Sequence, residues 1–147
     1  YEIVSRDWSS DVCSSDLQID KWNSISTVIK VSEDDLAWLY PEQDQIAIAE
    51  KWLADGAQLV VITKGSYGII GVTNSGVVSV PGVKVDVVDT VGAGDTVGAI
   101  IVEAIVELGV NALQGETLRK VLIRATKAAG ITCSRAGANP PTKAEIH

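Results

Sequence analysis

Phenylalanine and methionine are missing from this chain, and histidine occurs once, at the C-terminal His147. A core built without Phe or Met has to come from Val, Ile, Leu and Ala, with four Trp as the bulkiest fillers. A single His with no Cys or His around it indicates no zinc site. Neither a Cys/His pair nor a Gly-x-Ser-x-Gly elbow points to hydrolysis. The two cysteines, Cys13 and Cys133, give no disulfide framework, so the reducing cytoplasm is the expected compartment. No run of Lys or Arg relieves a net charge of −7. With a sequence pI near 4.6, nucleic acid and anionic membrane surfaces are not expected partners. No apolar run reaches the roughly 20 residues of a membrane-crossing helix, and no secretory signal pattern is visible.

What is present suits one packed domain: 147 residues, 46% of them hydrophobic. The most informative stretch is Asp89-Thr-Val-Gly-Ala-Gly-Asp-Thr96. Before it comes a β-branched run, Val83 to Val88, which reads as a strand. After it, Val97, Ile100, Ile101, Ala104, Ile105 and Leu108 fall on one helical face. At such a junction the first N–H groups of the helix have no intrahelical partner, and the helix dipole adds positive charge. The result is an anion site, and Gly92 and Gly94 let backbone approach a ligand closely. Asp95 falls in the first helical turn, where a carboxylate can take a proton from a hydroxyl nucleophile. Together these supply what phosphoryl transfer needs: positioning, electrostatic stabilisation and a base. Gly-Ala-Gly-Asp alone would equally suit a tight turn with Asp as a cap.

The full stretch Asp89–Thr96 resembles the C-terminal signature of the ribokinase-like (PfkB) sugar kinases. It differs from the P-loop, because Gly-x-x-x-x-Gly-Lys-Ser/Thr is absent. Thr63-Lys-Gly-Ser-Tyr-Gly68 resembles the family's Thr-x-Gly-x-x-Gly, whose backbone lies along nucleotide phosphates. The resemblance therefore implies nucleotide contacts at Thr63, Gly65 and Gly68. On the residues alone it is also a glycine-rich turn into a hairpin, and Lys64 is either a phosphate contact or a solvated side chain. Arg135-Ala-Gly-Ala-Asn-Pro-Pro141 matches the place where the family ends the last helix of its nucleotide site. There the resemblance implies a monovalent cation, K⁺, held by Asp89 and the carbonyls of Val91 and Gly137. A cap or turn role for Asp89 stands beside it.

In chain order, residues 1–17 have no helix or strand period and repeat Ser-Ser-Asp. They read as a solvated tail or as translated adapter DNA, and are set apart from 18–147. Ile25–Val31 reads as a buried strand and Ser32 as the cap of a helix with an acidic first turn. Glu33 or Asp35, at a strand's C-terminal end, could hold Mg²⁺ through water, although the family's Asn-x-x-Glu is here Ser-Glu-Asp-Asp. A helix over Pro41–Asp55, a strand at Leu59–Thr63, a hairpin around Asn74-Ser-Gly76 and a helix from Glu116 to about Cys133 follow. One strand–helix–strand unit makes the first two strands parallel.

The expected fold is α/β, ribokinase-like: a mostly parallel sheet flanked by helices with a side hairpin, forming part of a longer domain. The resemblance covers residues 18–147 and matches the family's C-terminal half, most like bacterial fructokinases at Lys30–Leu39 and Cys133–Pro141. It implies transfer of the ATP γ-phosphoryl to a sugar hydroxyl, fructose first. Asp95 would act as base, the N–H groups of Gly92, Ala93 and Gly94 as anion hole, and Mg²⁺ and K⁺ as cofactors. The alternatives are another kinase of this family, acting on a nucleoside, a ketodeoxy sugar acid or a vitamin, or a nucleotide-binding module without catalysis. ATP and a small sugar are the expected partners, with a homodimer as the expectation for a full-length protein. Alone, this chain is expected to be inactive, because most sugar contacts lie in the family's other half.

Overall fold

A computed structural model describes residue 19 and residues 21–146. The segment 1–17, with Trp8 and Cys13, lies outside the described residues, as does His147. Four strands form one sheet in the order β1-β2-β3-β4. They are β1 (Val28–Ser32), β2 (Leu59–Thr63), β3 (Ile69–Thr73) and β4 (Gly76–Val80). β1 and β2 run parallel, Val28 facing Leu59 and Ser32 facing Thr63. The crossover between them holds α1 (Glu33–Leu39) and α2 (Gln45–Ala54). β2–β3 and β3–β4 are antiparallel, the latter being the hairpin expected around Asn74-Ser-Gly76. The α/β class and the parallel first pair are as the sequence implies; within the described residues the sheet is mixed.

Alternation along β2 divides the core. Leu59 and Val61 face one cluster, with Val97, Ile100 and Ile101 of α3 (Ala93–Leu108) and Leu118, Leu122 and Ala125 of α4 (Gly115–Cys133). Val60 and Ile62 face the other, with Leu36 of α1 and Ile48, Ala49 and Trp52 of α2. These four of the five β2 side chains are wholly buried. Burying side chains of this size contributes about 1.5–3 kcal/mol each, so β2 anchors both layers. Trp52 also meets the Tyr40 ring edge to face, centroids 5.9 Å apart.

Three boundaries differ from the sequence reading. β1 starts at Val28 because residues 21–25 are helical and Ile25 is exposed. α2 starts at Gln45, not Pro41, because the Asp44 carboxylate accepts the N–H groups of Ile46 and Ala47 and caps it there. The largest correction is Val83–Val88, which forms no strand. Pro81 removes a donor just before it, and among the described residues this run joins no strand of the sheet. Its backbone turns instead to the end of α4, where the Cys133 carbonyl accepts the N–H groups of Val88 (2.8 Å) and Asp89 (3.2 Å). Val83 and Val85 lie against Gly130. β-branched alternation describes an extended chain, and only a partner makes that chain a strand.

Candidate functional site

The glycine-rich turn does deliver its backbone to a helix start. Gly92 is the N-cap of α3, with φ 80° and ψ −3°, a left-handed conformation that costs other residues about 1–2 kcal/mol. A Cβ there would also lie 2.9 Å from the Ala138 Cβ. The Gly92 carbonyl accepts the Thr96 N–H at 2.9 Å, which closes the first turn. Ala93 N–H makes a long contact of 3.3 Å to the Thr90 carbonyl. The N–H groups of Gly94 and Asp95 belong to the first turn, where helical geometry offers no acceptor. Asp95, the third residue of the helix, is exposed.

Ala93 and Gly94 line a cavity of about 740 Å³ that Thr63, Gly65 and Gly68 also line. The turn holding those three follows β2 directly. The Tyr67 and Gly68 N–H groups donate to the Lys64 (2.9 Å) and Gly65 (3.2 Å) carbonyls, which folds Gly65–Tyr67 into a single 3₁₀ turn, and the Lys64 N–H donates to the Gly68 carbonyl at 2.8 Å across it. Gly68 has φ 106°, and a Cβ on it would fall 2.1 Å from the Val80 carbonyl oxygen. No other residue fits there. The two turns singled out in the sequence thus face one space, one at the C-terminal end of β2 and the other at the N-terminal end of α3.

The acidic residues are placed differently from one another. Asp35 completes a capping box: its N–H bonds the Ser32 hydroxyl at 3.0 Å, and its carboxylate accepts the Ser32 N–H at 3.2 Å. Glu33 lies 3.9 Å from the Lys64 ammonium, both side chains being about one-third exposed. The pair joins the start of α1 to the Thr63–Gly68 turn. Asp34, between them in sequence, lines the cavity. Among the described residues no three His, Cys, Asp or Glu converge as a metal cluster.

Asp89 ties the anion turn to the segment after α4. One carboxylate oxygen accepts the Val91 N–H at 3.0 Å and the other the Gly137 N–H at 2.9 Å. These bonds, the one from Val91 foremost, hold its carboxyl below the usual Asp range. The Val91 side chain is exposed. The Gly137 carbonyl accepts the Asn139 N–H at 2.8 Å, within a turn where Gly137 has φ 68°. Both Asp89 oxygens are thus engaged by backbone donors, which is the turn role that the sequence also allows for this residue.

Lys30 was not identified from sequence. It sits in the middle of β1, and alternation turns it to the α3 side of the sheet. Its ammonium nitrogen lies 3.0 Å from the point a Cβ on Gly94 would occupy, at the mouth of the anion turn. The available signal was a charged residue inside an otherwise apolar strand, Val28-Ile-Lys-Val31.

Comparison with known proteins follows the same geometry. The family profile described as pfkB family carbohydrate kinase matches residues 3–145. A fructokinase of Rhizobium leguminosarum bv. trifolii is 49% identical over 80 residues, 54% of this chain and 24% of the relative. Ribokinase from Thermotoga maritima superposes with a TM-score of 0.74 at 25% identity, covering 86% of this chain and 43% of the other. Fructokinase with bound ATP from Xylella fastidiosa gives a TM-score of 0.77 at 23% identity, covering 89% of this chain and 44% of the other. The fold is therefore ribokinase-like. The chain spans about a quarter of the length of that Rhizobium relative and less than half of the two solved chains.

Proposed function

From the premise that the chain belongs to the pfkB family of carbohydrate kinases, we propose that it carries the nucleotide side of an ATP-dependent sugar kinase, with fructose as the first acceptor. One observation carries the reading. The Thr63–Gly68 turn and the Thr90–Gly94 turn line a single cavity that also receives Lys30 and the start of α3. A triphosphate laid along the first turn would bring its terminal phosphoryl to the second. The N–H groups of the Gly92–Gly94 turn and the Lys30 ammonium oppose the charge that develops there. Asp95 takes the proton as the sugar oxygen bonds to phosphorus and the bond to the ADP oxygen breaks. Mg²⁺, where bound, would neutralise phosphate charge, with Asp34 as a carboxylate of the cavity lining and Glu33 next to it in sequence, paired with Lys64.

Fructose is favoured over other acceptors by the Rhizobium relative, whose name is fructokinase. By itself the chain should not turn over fructose, because a hydroxyl must be held about 3–3.5 Å from phosphorus and in line with the leaving oxygen. None of the cavity residues forms a second clamp for a sugar. The test is Asp95→Asn in a version extended to the length of the relatives. Turnover of ATP with fructose should fall by ~10²–10⁴ while ATP affinity changes little. Near-normal turnover would remove Asp95 from the role of base.

A further inference from the structure

Two buried hydroxyls join the helices on either side of the anion turn. Thr96 on α3 and Thr132 on α4 are 6% and 0% exposed, and their Oγ1 atoms lie 2.9 Å apart. Thr96 Oγ1 is also 2.9 Å from the Gly92 carbonyl oxygen, and Thr132 Oγ1 is 3.1 Å from the Ala128 carbonyl oxygen. Two hydroxyl hydrogens cannot serve three contacts. Either the donors run in one direction, Thr132 to Thr96 to Gly92 or Thr96 to Thr132 to Ala128, or each hydroxyl donates to its own i−4 carbonyl and the two oxygens share no hydrogen. The first direction matters for the cavity. The Gly92 carbonyl and the Ala93 N–H belong to one planar peptide, so fixing the oxygen fixes where the N–H points.

We propose that Thr132 is a positioning residue for phosphate binding. Through Thr96 it holds the Gly92–Ala93 peptide so that the anion turn is set before ligand arrives. The inference rests on the reading of this cavity as a triphosphate site. The end of α4 suits the task. Its Cys133 carbonyl holds the N–H groups of Val88 and Asp89, and Gly137 just beyond donates to Asp89. The turn is thus braced from one side by backbone bonds and from the other by the hydroxyl pair. A buried pair is also strong in effect, since neither hydroxyl can exchange its partner for water.

The experiment uses the chain as it stands, with Thr132→Val, Thr132→Ser and, as control, Thr73→Val. Thr73 is a buried threonine whose hydroxyl serves only the β3–β4 turn. Affinities for Mg-ATP and Mg-ADP are measured by calorimetric titration, and the Ala93 amide is followed by ¹⁵N NMR. Thr132→Val should lose about tenfold in ATP affinity, with ADP affinity changed much less and the Ala93 resonance displaced. Thr132→Ser should restore both. Thr73→Val should lower stability but leave ATP binding alone. If the unaltered chain binds no ATP, the triphosphate reading fails and this inference falls with it. If it binds ATP and Thr132→Val binds equally well with Ala93 unmoved, the positioning role is overturned and the triphosphate reading stands. Should Thr132→Val fail to fold, Thr96→Ser and Thr132→Ser decide. Both keep the hydroxyl, so a tenfold loss of ATP affinity in either contradicts the proposal.

Discussion

Replacing Gly94 by Ala separates stability from ligand binding at the anion turn. Gly94 is the second residue of α3 and is already helical, so a side chain brings no backbone strain. Its new methyl would lie 3.0 Å from the Lys30 ammonium nitrogen and 3.9 Å from Lys30 Cε, with no other contact inside 4 Å beyond its own helix. The atom that must give way is the end of a long, flexible side chain, and it can move into the cavity at little cost. Gly to Ala within a helix is favourable by about 0.5–1 kcal/mol, less at a first turn. Stability should therefore be unchanged or slightly raised. Phosphate binding should suffer, because the methyl fills the space between the turn's N–H groups and the ammonium. Losing one hydrogen bond to a charged group costs about 1.5–3 kcal/mol, or about 10- to 100-fold in affinity. Urea unfolding and titration with Mg-ATP on the same preparation give both numbers. An unchanged ATP affinity would show that phosphate does not reach Gly94. A loss of more than about 1 kcal/mol in stability would show that the space around it is misjudged.

Gly68→Ala should behave in the opposite way: its methyl meets backbone at 2.1 Å with φ at 106°, so urea unfolding should show a loss of several kcal/mol, about 3 or more. Acid titration should reveal the C-terminal clasp. Glu145 is held down to about 2 by the Thr142 N–H, the Thr142 hydroxyl and Arg135, from an ordinary value of 4.5. A depressed carboxylate stabilises the fold above its unfolded value and loses that contribution as pH falls. Stability should thus drop between about pH 4.5 and 2, and Glu145→Gln should flatten that limb in thermal melts.

The parts of this site that depend on local chain order were legible in the sequence. Gly92, Gly94 and Asp95 announce a helix start, and Gly65 and Gly68 announce a turn, because glycine and Asp are tied to particular backbone geometries. Ser32 with Asp35 announces a capped helix for the same reason. What depends on a neighbour from elsewhere was not legible. Val83–Val88 has the composition of a strand, but its end is taken by a neighbour from elsewhere, the Cys133 carbonyl. Lys30 and Gly94 meet only because alternation in β1 and the packing of α3 on the sheet bring them together. Thr96 and Thr132, 36 residues apart, carry no local signal at all, since threonine in a helix is usually unremarkable.

The central claim, that these two turns form one triphosphate site, is tested most directly by ¹⁵N NMR of this chain during titration with Mg-ATP and with AMP. The account predicts that Mg-ATP moves the amides of Gly65, Gly68, Ala93 and Gly94 together, with one saturation curve, and that AMP leaves Ala93 and Gly94 in place. Shifts at Gly65 and Gly68 without Ala93 and Gly94, or saturation at different concentrations, would contradict it.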